Sequence, residues 1–211
     1  MVRVERIVTG KWKENCYILS TPDGSAVAID PGADFETIRA YLRDNDLPLR
    51  AVINTHAHYD HIGAVADLVE EFSAPFHLHK DDEKLLCMAN FYRTLFLGEE
   101  SIRTPKLDVD LNGKKSLQFG ELEIEVIHTP GHTPGSVCFL AAGELFSGDT
   151  LLTKRLGRTD LPGGDPAALL ESARALFSAL PPETVFHPGH GPASTLGEIS
   201  EKEEEVAELP L

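Results

Sequence analysis

The chain of 211 residues is long enough to fold around a sizeable hydrophobic core without disulfides or a structural metal. Its composition, 42% hydrophobic and 25% charged, is typical of a globular protein and excludes disorder, collagen and coiled coil as the main organisation. The net charge of −15 opposes binding to phosphate backbones, so no nucleic acid is expected as a partner. We expect one domain over residues 1–211.

Predicted strands and helices alternate through the first half of the chain. Strands are predicted at residues 2–8, 16–19, 26–29, 50–54 and 75–79, with a turn at residues 22–24. Helices are predicted at residues 34–44, 62–72 and 81–97, the first of them capped by Asp34.

The second half repeats this pattern. Strands are predicted at residues 115–119, 122–127, 136–141, 144–146 and 184–187. Helices are predicted at residues 165–180, capped by Asp165 with Pro166 at its first position, and at residues 196–208, where the acidic run 201–205 is expected to be a solvated face. Two such halves predict two sheets packed face to face with helices outside.

The cysteines and the N-terminus indicate the compartment. Cys16, Cys87 and Cys138 are odd in number, far apart and without a Cys-x-x-Cys spacing, so we expect small buried side chains in a reducing environment. The N-terminus carries charges where a signal peptide would be apolar, and no apolar run approaches the ~18 residues of a spanning helix. A cytoplasmic protein without a membrane partner is predicted.

Polar segments follow four of the predicted strands, at the point where each strand ends. Three of them contain histidine, residues 55–61, 130–136 and 188–192, and the last two of these also contain glycine and proline. The fourth, residues 147–150, contains an aspartate. Loops at strand ends are where a rigid scaffold presents functional groups. Three imidazoles and a carboxylate within residues 56–61 would be a costly core segment, because buried polar groups need partners. A divalent cation is the partner that suits them all.

The ligand types narrow the choice of metal. Imidazole combined with carboxylate, without thiolate, favours zinc, iron or manganese over calcium or an iron–sulfur cluster. The candidate ligands are His56, His58, Asp60, His61, His132, Asp149 and His190. One tetrahedral ion needs at most four ligands, so this set predicts two divalent ions with one bridging carboxylate. The other histidines, His77, His79, His128 and His187, are expected to be structural, with support of ligands as a second interpretation of His77 and His79.

The combined motif resembles the metallo-β-lactamase superfamily. The resemblance rests on residues 56–61, on His132 and Asp149 with the glycines before them, and on residues 188–191. It implies an α+β fold, a four-layer αββα sandwich with the metal site at one edge. It also implies one ion held by His56, His58 and His132, a second held by Asp60, His61 and His190, and a bridging Asp149.

Within that superfamily, residues 131–136 and 148–150 resemble glyoxalase II, which hydrolyses hydroxyacyl-glutathione thioesters. Residues 156–165 depart from the longer glyoxalase II pattern and resemble short glyoxalase-II-like proteins and persulfide dioxygenases. The predicted function is hydrolysis of a small thioester, most simply an S-acyl-glutathione-like one, at a dinuclear centre.

Further residues are given roles on this hypothesis. Asp60 is the candidate to orient the nucleophile. Lys154, Arg155 and Arg158 are candidates to hold substrate carboxylates, and surface charge or an Arg158–Asp160 pair is the other interpretation.

Two other activities remain open from the sequence. The first is a persulfide dioxygenase with one Fe(II) held by His56, His132 and Asp149. A lactonase or β-lactamase is a weaker alternative, because no further motif supports it. A non-catalytic metal-binding module would not need a complete two-metal ligand set.

Overall fold

The N-terminal half forms a six-stranded sheet in the computed structural model, which describes residues 1–98 and 100–200. In spatial and chain order its strands are β1 Arg3–Thr9, β2 Glu14–Ser20, β3 Ala26–Ile29, β4 Leu49–Ile53, β5 Phe76–Leu78 and β6 Val109–Asp110. The pairs β1–β2 and β2–β3 are antiparallel, and the pairs from β3 to β6 are parallel. The parallel crossovers carry helices α1 Phe35–Asp44, α2 Val65–Phe72 and, after a 3₁₀ turn at Lys80–Asp82, α3 Glu83–Leu97.

The second half forms another six-stranded sheet. Its strands are β7 Ser116–Phe119, β8 Leu122–His128, β9 Val137–Ala141, β10 Glu144–Gly148, β13 Val185–Pro188 and β14 Ser194–Thr195, in the spatial order β14-β13-β10-β9-β8-β7. Strands β11 Leu151–Leu152 and β12 Arg155–Leu156 form a separate hairpin. The helices of this half are α4 Pro166–Ala179 and α5 Leu196–Ser200.

Successive side chains of strand β2 point to opposite faces of the first sheet, and both faces are apolar, which explains why the sheets stack. Cys16 and Ile18 pack into a core cluster shared with residues of helices α1, α2 and α3. Tyr17 and Leu19, on the other side of the strand, pack into a second cluster shared with residues of β8, β9 and β10. A third cluster joins the second sheet to α4 and α5. The layers are therefore helix, sheet, sheet and helix, which confirms the α+β αββα fold.

Most predicted elements are present, with local differences at their ends. Asp165 caps α4 as expected, because its Oδ1 accepts hydrogen bonds from the backbone N–H groups of Ala167 and Ala168. The prediction for Asp34 is wrong: its side chain makes no cap bond to α1 and instead accepts from the backbone N–H of Gly10. Helix α2 begins at Val65, three residues later than predicted.

Short elements and one cysteine also differ from expectation. Four strands were not predicted, because two residues are too few to show hydrophobic periodicity: β6, β11, β12 and β14. Cys87 is exposed on α3, contrary to the expectation that all three cysteines are buried, whereas Cys16 and Cys138 are buried. The predicted helix 196–208 is present as α5 up to Ser200, and the acidic run 201–205 lies outside the described residues. Among residues 1–98 and 100–200, no helix combines the length and apolarity needed to span a bilayer.

Candidate metal centre

The candidate ligands meet because the strands before them end at one edge of the sandwich. Strands β8, β10 and β13 run in the same direction, since β9 is antiparallel to both β8 and β10 and β13 is parallel to β10. Backbone hydrogen bonds join the two halves there: the Val137 N–H donates to the Thr55 carbonyl at 2.9 Å, and the Asn15 N–H donates to the Gly189 carbonyl at 2.7 Å. The loops after β4, β8, β10 and β13 therefore face one another.

Three buried imidazoles form the first cluster. His132 Nε2 lies 3.3 Å from His56 Nε2 and 2.9 Å from His58 Nδ1. The three ligand atoms lie within 4.8 Å of one another, and all three residues are buried. This is the set that the resemblance assigns to the first ion.

A second cluster lies beside the first and is more open. His190 Nε2 lies 3.3 Å from His61 Nε2 and 3.3 Å from Asp60 Oδ2. His61 is fully buried, whereas the side chains of Asp60 and His190 are 19% and 26% exposed. The second cluster therefore faces the route by which a substrate would enter.

The Asp149 carboxylate lies between the two clusters. Its Oδ2 is 3.7 Å from His132 Nε2 and 3.7 Å from His190 Nε2, and its Oδ1 is 3.7 Å from His61 Nε2. The structure thus brings all the predicted ligands together and places Asp149 in reach of both sets.

Hydrogen bonds on the far side of the rings fix which nitrogens face the centre. His132 Nδ1 donates to the Arg158 carbonyl at 2.7 Å, and His190 Nδ1 donates to the Trp12 carbonyl at 3.2 Å. Because a carbonyl only accepts, each ring keeps a proton on Nδ1, and its neutral tautomer would present Nε2 as a bare lone pair. Their Nε2 atoms face the centre.

Asp30 orients the other two Nε2 ligands. Its Oδ2 accepts from the Thr55 hydroxyl at 2.6 Å and from His61 Nδ1 at 3.2 Å. Since the Thr55 hydroxyl proton goes to Asp30, its oxygen accepts from His56 Nδ1 at 3.0 Å. This carboxylate–hydroxyl–imidazole chain presents His56 and His61 to the centre through Nε2.

The donor set fits divalent cations. Bare nitrogen lone pairs facing each other at 2.9–3.3 Å repel unless a cation or a proton lies between them. Asp149 Oδ1 is buried and has no hydrogen-bond partner within the described part of the chain. Imidazole and carboxylate are the ligands that zinc, iron and manganese accept.

Protons occupy the second cluster when metal is absent, which gives a testable difference between the two clusters. Burial lowers the pKa of His61, but Asp60, Asp30 and Asp149 outweigh it and raise that pKa to about 10. Burial and the neighbouring His132 lower the pKa of His58 to about 3. Burial also lowers the pKa of His56, so His56 and His58 are unprotonated at neutral pH, whereas His61 holds a proton that a cation must displace.

We expect zinc loading at neutral pH to release protons mainly as the second ion binds. Affinity for that ion should rise by about tenfold per pH unit for each proton released, up to the pKa of His61. A pH indicator in weakly buffered solution, titrated with zinc, measures the release. His61→Ala should abolish most of it while zinc still binds at His56, His58 and His132; undiminished release in that variant would contradict the assignment.

Asp82 is a supporting residue that the sequence did not reveal. It is fully buried, and its Oδ2 accepts from the Ala57 backbone N–H at 2.9 Å and from the Thr133 hydroxyl at 2.8 Å. Its Oδ1 accepts from the Gly135 backbone N–H at 2.7 Å. It ties the loop carrying His56 and His58 to the loop carrying His132. His79, expected to be structural with support of ligands as a second interpretation, stacks on His128 with ring centroids 4.4 Å apart.

Gly189 leaves room for the bridging carboxylate. A Cβ at this position would lie 2.2 Å from Asp149 Oδ1 and 2.7 Å from His61 Cε1. We therefore expect Gly189→Ala to displace Asp149 and to lower bound metal and activity by about 10–100-fold, the range seen when ligand orientation is lost. Gly143→Ala is the control: it strains a turn at φ +84° but has no atom within 4 Å of its Cβ. Normal metal content in Gly189→Ala, measured by elemental analysis, would contradict this expectation.

A cavity of about 240 Å³ opens over the two clusters. Arg155 and Arg158 line it, together with apolar side chains that include Trp12 and Leu161. The Arg158 guanidinium is paired with the Asp160 carboxylate: Nε donates to Oδ1 and Nη2 donates to Oδ2, each at 2.6 Å. This is the Arg158–Asp160 pair that the sequence offered as the other interpretation of Arg158. Lys154 lies exposed in the turn between β11 and β12 and is not among the residues lining this cavity.

The sequence matches the family described as the metallo-beta-lactamase superfamily over residues 9–204. The chain belongs to this superfamily. With the ligand clusters described above, membership identifies it as a metal-dependent enzyme of the metallo-hydrolase class.

Two curated relatives cover most of the chain. It is 34% identical to the probable metallo-hydrolase YqgX of Bacillus subtilis, over 89% of each chain. It is 29% identical to the hydroxyacylglutathione hydrolase GloC of Haemophilus influenzae, over 93% of this chain and 94% of the relative.

Two solved structures are similar in both fold and sequence. The BLEG-1 B3 metallo-beta-lactamase has a TM-score of 0.88 and 38% identity, covering 93% of this chain and 95% of the other. TTHA1623, solved in a di-iron-bound form, has a TM-score of 0.84 and 42% identity, covering 92% of this chain and 96% of the other.

Proposed function

We propose that the protein is a dinuclear metal-dependent hydrolase of a small thioester, most simply an S-acyl-glutathione-like one. The observation that carries the proposal is the pair of ligand clusters joined by Asp149, whose carboxylate lies 3.7 Å from nitrogens of both. When bound, two divalent ions supply a hydroxide nucleophile and polarise the acyl carbonyl. Zinc, iron and manganese all suit the donor set.

Asp60 is the residue proposed to orient the nucleophile. Burial raises its pKa, but His61 and His190 hold that pKa below its ordinary value, so the carboxylate is ionised at neutral pH. Its Oδ2 can accept a hydrogen bond from the attacking hydroxide and hold that hydroxide toward the acyl carbon. A thiolate leaves without protonation, so the chain needs no dedicated general acid.

The cavity supports an anionic substrate. Arg155 and Arg158 are the only charged side chains among its lining residues outside the ligand clusters, and both are cationic. Their proposed role is to bind the carboxylates of a glutathione-like thiol. Asp160 neutralises part of the charge of Arg158, so Arg155 is the stronger candidate for binding substrate carboxylates. Lys154 remains a more distant candidate for the same role.

The likeness to GloC makes S-lactoylglutathione the first substrate to test. We expect the zinc-loaded protein to release free thiol from it, and both the metal-free protein and Asp60→Asn to be slower by about 100-fold or more. A β-lactam is the comparison substrate, because BLEG-1 is a β-lactamase of similar sequence. β-Lactam cleavage without thioester cleavage would reject the proposal.

A persulfide dioxygenase is the second candidate. Its three proposed iron ligands, His56, His132 and Asp149, are adjacent, with His132 Nε2 lying 3.3 Å from His56 Nε2 and 3.7 Å from Asp149 Oδ2. The segment 157–160 that suggests this activity also provides the Arg158 carbonyl that orients His132. Dependence on oxygen separates this candidate from the hydrolase.

A further inference from the structure

The loop at residues 188–191, which carries a ligand of the second cluster, is held in place by a segment that is far away in the sequence. Asn15, the second residue of β2, donates three hydrogen bonds to this 188–191 loop. Its side-chain Nδ2 donates to the Pro188 and Gly191 carbonyls, each at 2.8 Å, and its backbone N–H donates to the Gly189 carbonyl at 2.7 Å. One residue therefore contacts the loop from its first residue to its last.

The surroundings of the Asn15 amide decide which of its two ends faces the loop. Asn15 is 1% exposed, so its polar atoms depend on partners within the protein. The Pro188 and Gly191 carbonyls only accept hydrogen bonds, so the amide nitrogen, and not the amide oxygen, faces them. A carboxylate in the same place would set its oxygens against two carbonyl oxygens. The contact therefore needs an amide at this position.

Two other side chains near the start of the chain bond to this loop, at one point each. The Tyr17 hydroxyl donates to the Pro188 carbonyl at 2.7 Å, beside the Asn15 bond to the same atom. Arg6 Nη1 donates to the Gly191 carbonyl at 3.2 Å and lies on the surface. Because Asn15 alone of these three residues bonds to more than one carbonyl, its loss should free the loop most.

The 188–191 loop provides a ligand to the second cluster and none to the first. His190 Nε2 lies 3.3 Å from His61 Nε2 and 3.3 Å from Asp60 Oδ2. In the part of the chain that the structure describes, no hydrogen bond joins Asn15 to a ligand of the first cluster. A change at Asn15 should therefore act on the second cluster alone.

We propose that Asn15 is a positioning residue of the second cluster: its amide holds the 188–191 loop so that His190 stays in the cluster, and this sets the affinity of the cluster for its divalent ion. The inference rests on the second ion of the proposed dinuclear hydrolase and is independent of the substrate. The apparent affinity for an ion falls in proportion to the fraction of molecules in which the binding site is assembled. Residues that orient a metal ligand commonly contribute about 10–100-fold to metal affinity.

Two substitutions separate hydrogen bonding from packing. Asn15→Asp keeps the size of the side chain but replaces the donor with an acceptor, and Asn15→Ala removes the amide. We expect each to weaken binding of the second zinc ion by about 10–100-fold and to leave binding of the first unchanged, as measured by competition with a chromogenic chelator.

Asn90→Ala is the matched control for these substitutions. Asn90 Nδ2 donates to the Ile102 carbonyl at 3.0 Å, and its Oδ1 accepts from the Ile102 N–H at 2.8 Å, so it holds a loop outside both clusters by the same chemistry. This variant should bind both ions as the wild-type protein does. Wild-type affinity for the second ion in Asn15→Asp, or equal losses at both clusters, would overturn the proposal.

Hydrogen exchange of the metal-free protein separates this inference from the proposed function. The Gly189 N–H donates to the Gly148 carbonyl at 2.7 Å, so it exchanges slowly only while the loop is in place. We expect Asn15→Asp to speed exchange of this amide by about tenfold or more, with the amides of β9 unchanged. Faster exchange at Gly189 in a protein that binds a single ion would reject the dinuclear hydrolase and retain the role of Asn15 in holding the loop. Two ions bound equally tightly by the wild-type protein and by Asn15→Asp, with unchanged exchange, would do the reverse.

Discussion

Asp149→Ala is expected to lose both metal ions and to lower thioester hydrolysis by more than about 100-fold. Loss of residues that only orient a ligand already costs about 10–100-fold in metal affinity or activity. Asp149 lies 3.7 Å from nitrogens of both clusters, so its removal weakens both at once. His61→Ala touches the second cluster alone and should retain close to one ion per chain, against two in the wild-type protein.

Elemental analysis of the loaded proteins, with initial rates measured in parallel, tests whether Asp149→Ala loses more metal and more activity than His61→Ala. Asp44→Ala is the matched control, because Asp44 is an exposed carboxylate at the end of α1, outside both clusters. Far-ultraviolet circular dichroism shows whether each variant keeps its fold. Equal and small losses in Asp149→Ala and His61→Ala would mean that Asp149 does not bridge.

The order and type of the main elements could be predicted from the sequence, because strands such as β3 are short apolar runs beside turn residues and helices such as α4 carry periodic and capping signals. Asp165 and Pro166 mark the start of α4, and the structure agrees within one residue. Asp34 shows the limit of such local signals. Its side chain accepts from Gly10, which is distant in sequence, and this contact replaces the expected cap.

The candidate ligands could also be predicted, because all of them follow strands that end at the same edge. The residues that support these ligands could not be predicted. Asp30 is an isolated carboxylate in the sequence, and Asp82 lies within three consecutive acidic residues at the start of a predicted helix. Their roles arise only when β3 and the 3₁₀ turn are placed behind the ligand loops. Asp30 follows the end of β3 as Thr55 follows the end of β4. Position at a strand end is therefore the one sequence signal for the role of Asp30, which has no histidine beside it.

The surroundings of the substrate were the least predictable part. Basic residues near Asp149 suggested Lys154, Arg155 and Arg158, but only the two arginines line the cavity, because the hairpin β11–β12 places Lys154 at its turn. The packing of α3 beside residues 57–59 and 161–162 likewise depends on tertiary contact, which no local pattern encodes. Tertiary contact, rather than local sequence, therefore decides what lies next to the metal centre.

Oxygen dependence is expected to decide between the two candidate activities, with an all-or-none outcome. Thioester hydrolysis consumes water and transfers no electrons, so the zinc- or manganese-loaded protein should cleave S-lactoylglutathione or a simpler acyl thioester at the same rate with and without air. Persulfide oxidation consumes dioxygen and needs a ferrous ion, which zinc cannot replace because zinc has no redox chemistry.

The measurement pairs thiol release with an oxygen electrode for the zinc-, manganese- and iron-loaded protein, with glutathione persulfide as the second substrate. His190→Ala separates the two activities further. It removes a ligand of the second cluster, whose Nε2 lies 3.3 Å from Asp60 Oδ2, and leaves His56, His132 and Asp149 in place. A dinuclear hydrolase should lose most of its activity in this variant, whereas a mononuclear iron enzyme should keep it. Oxygen uptake by the iron form that survives His190→Ala, with no thioester cleavage by any metal form, would assign the protein to persulfide oxidation.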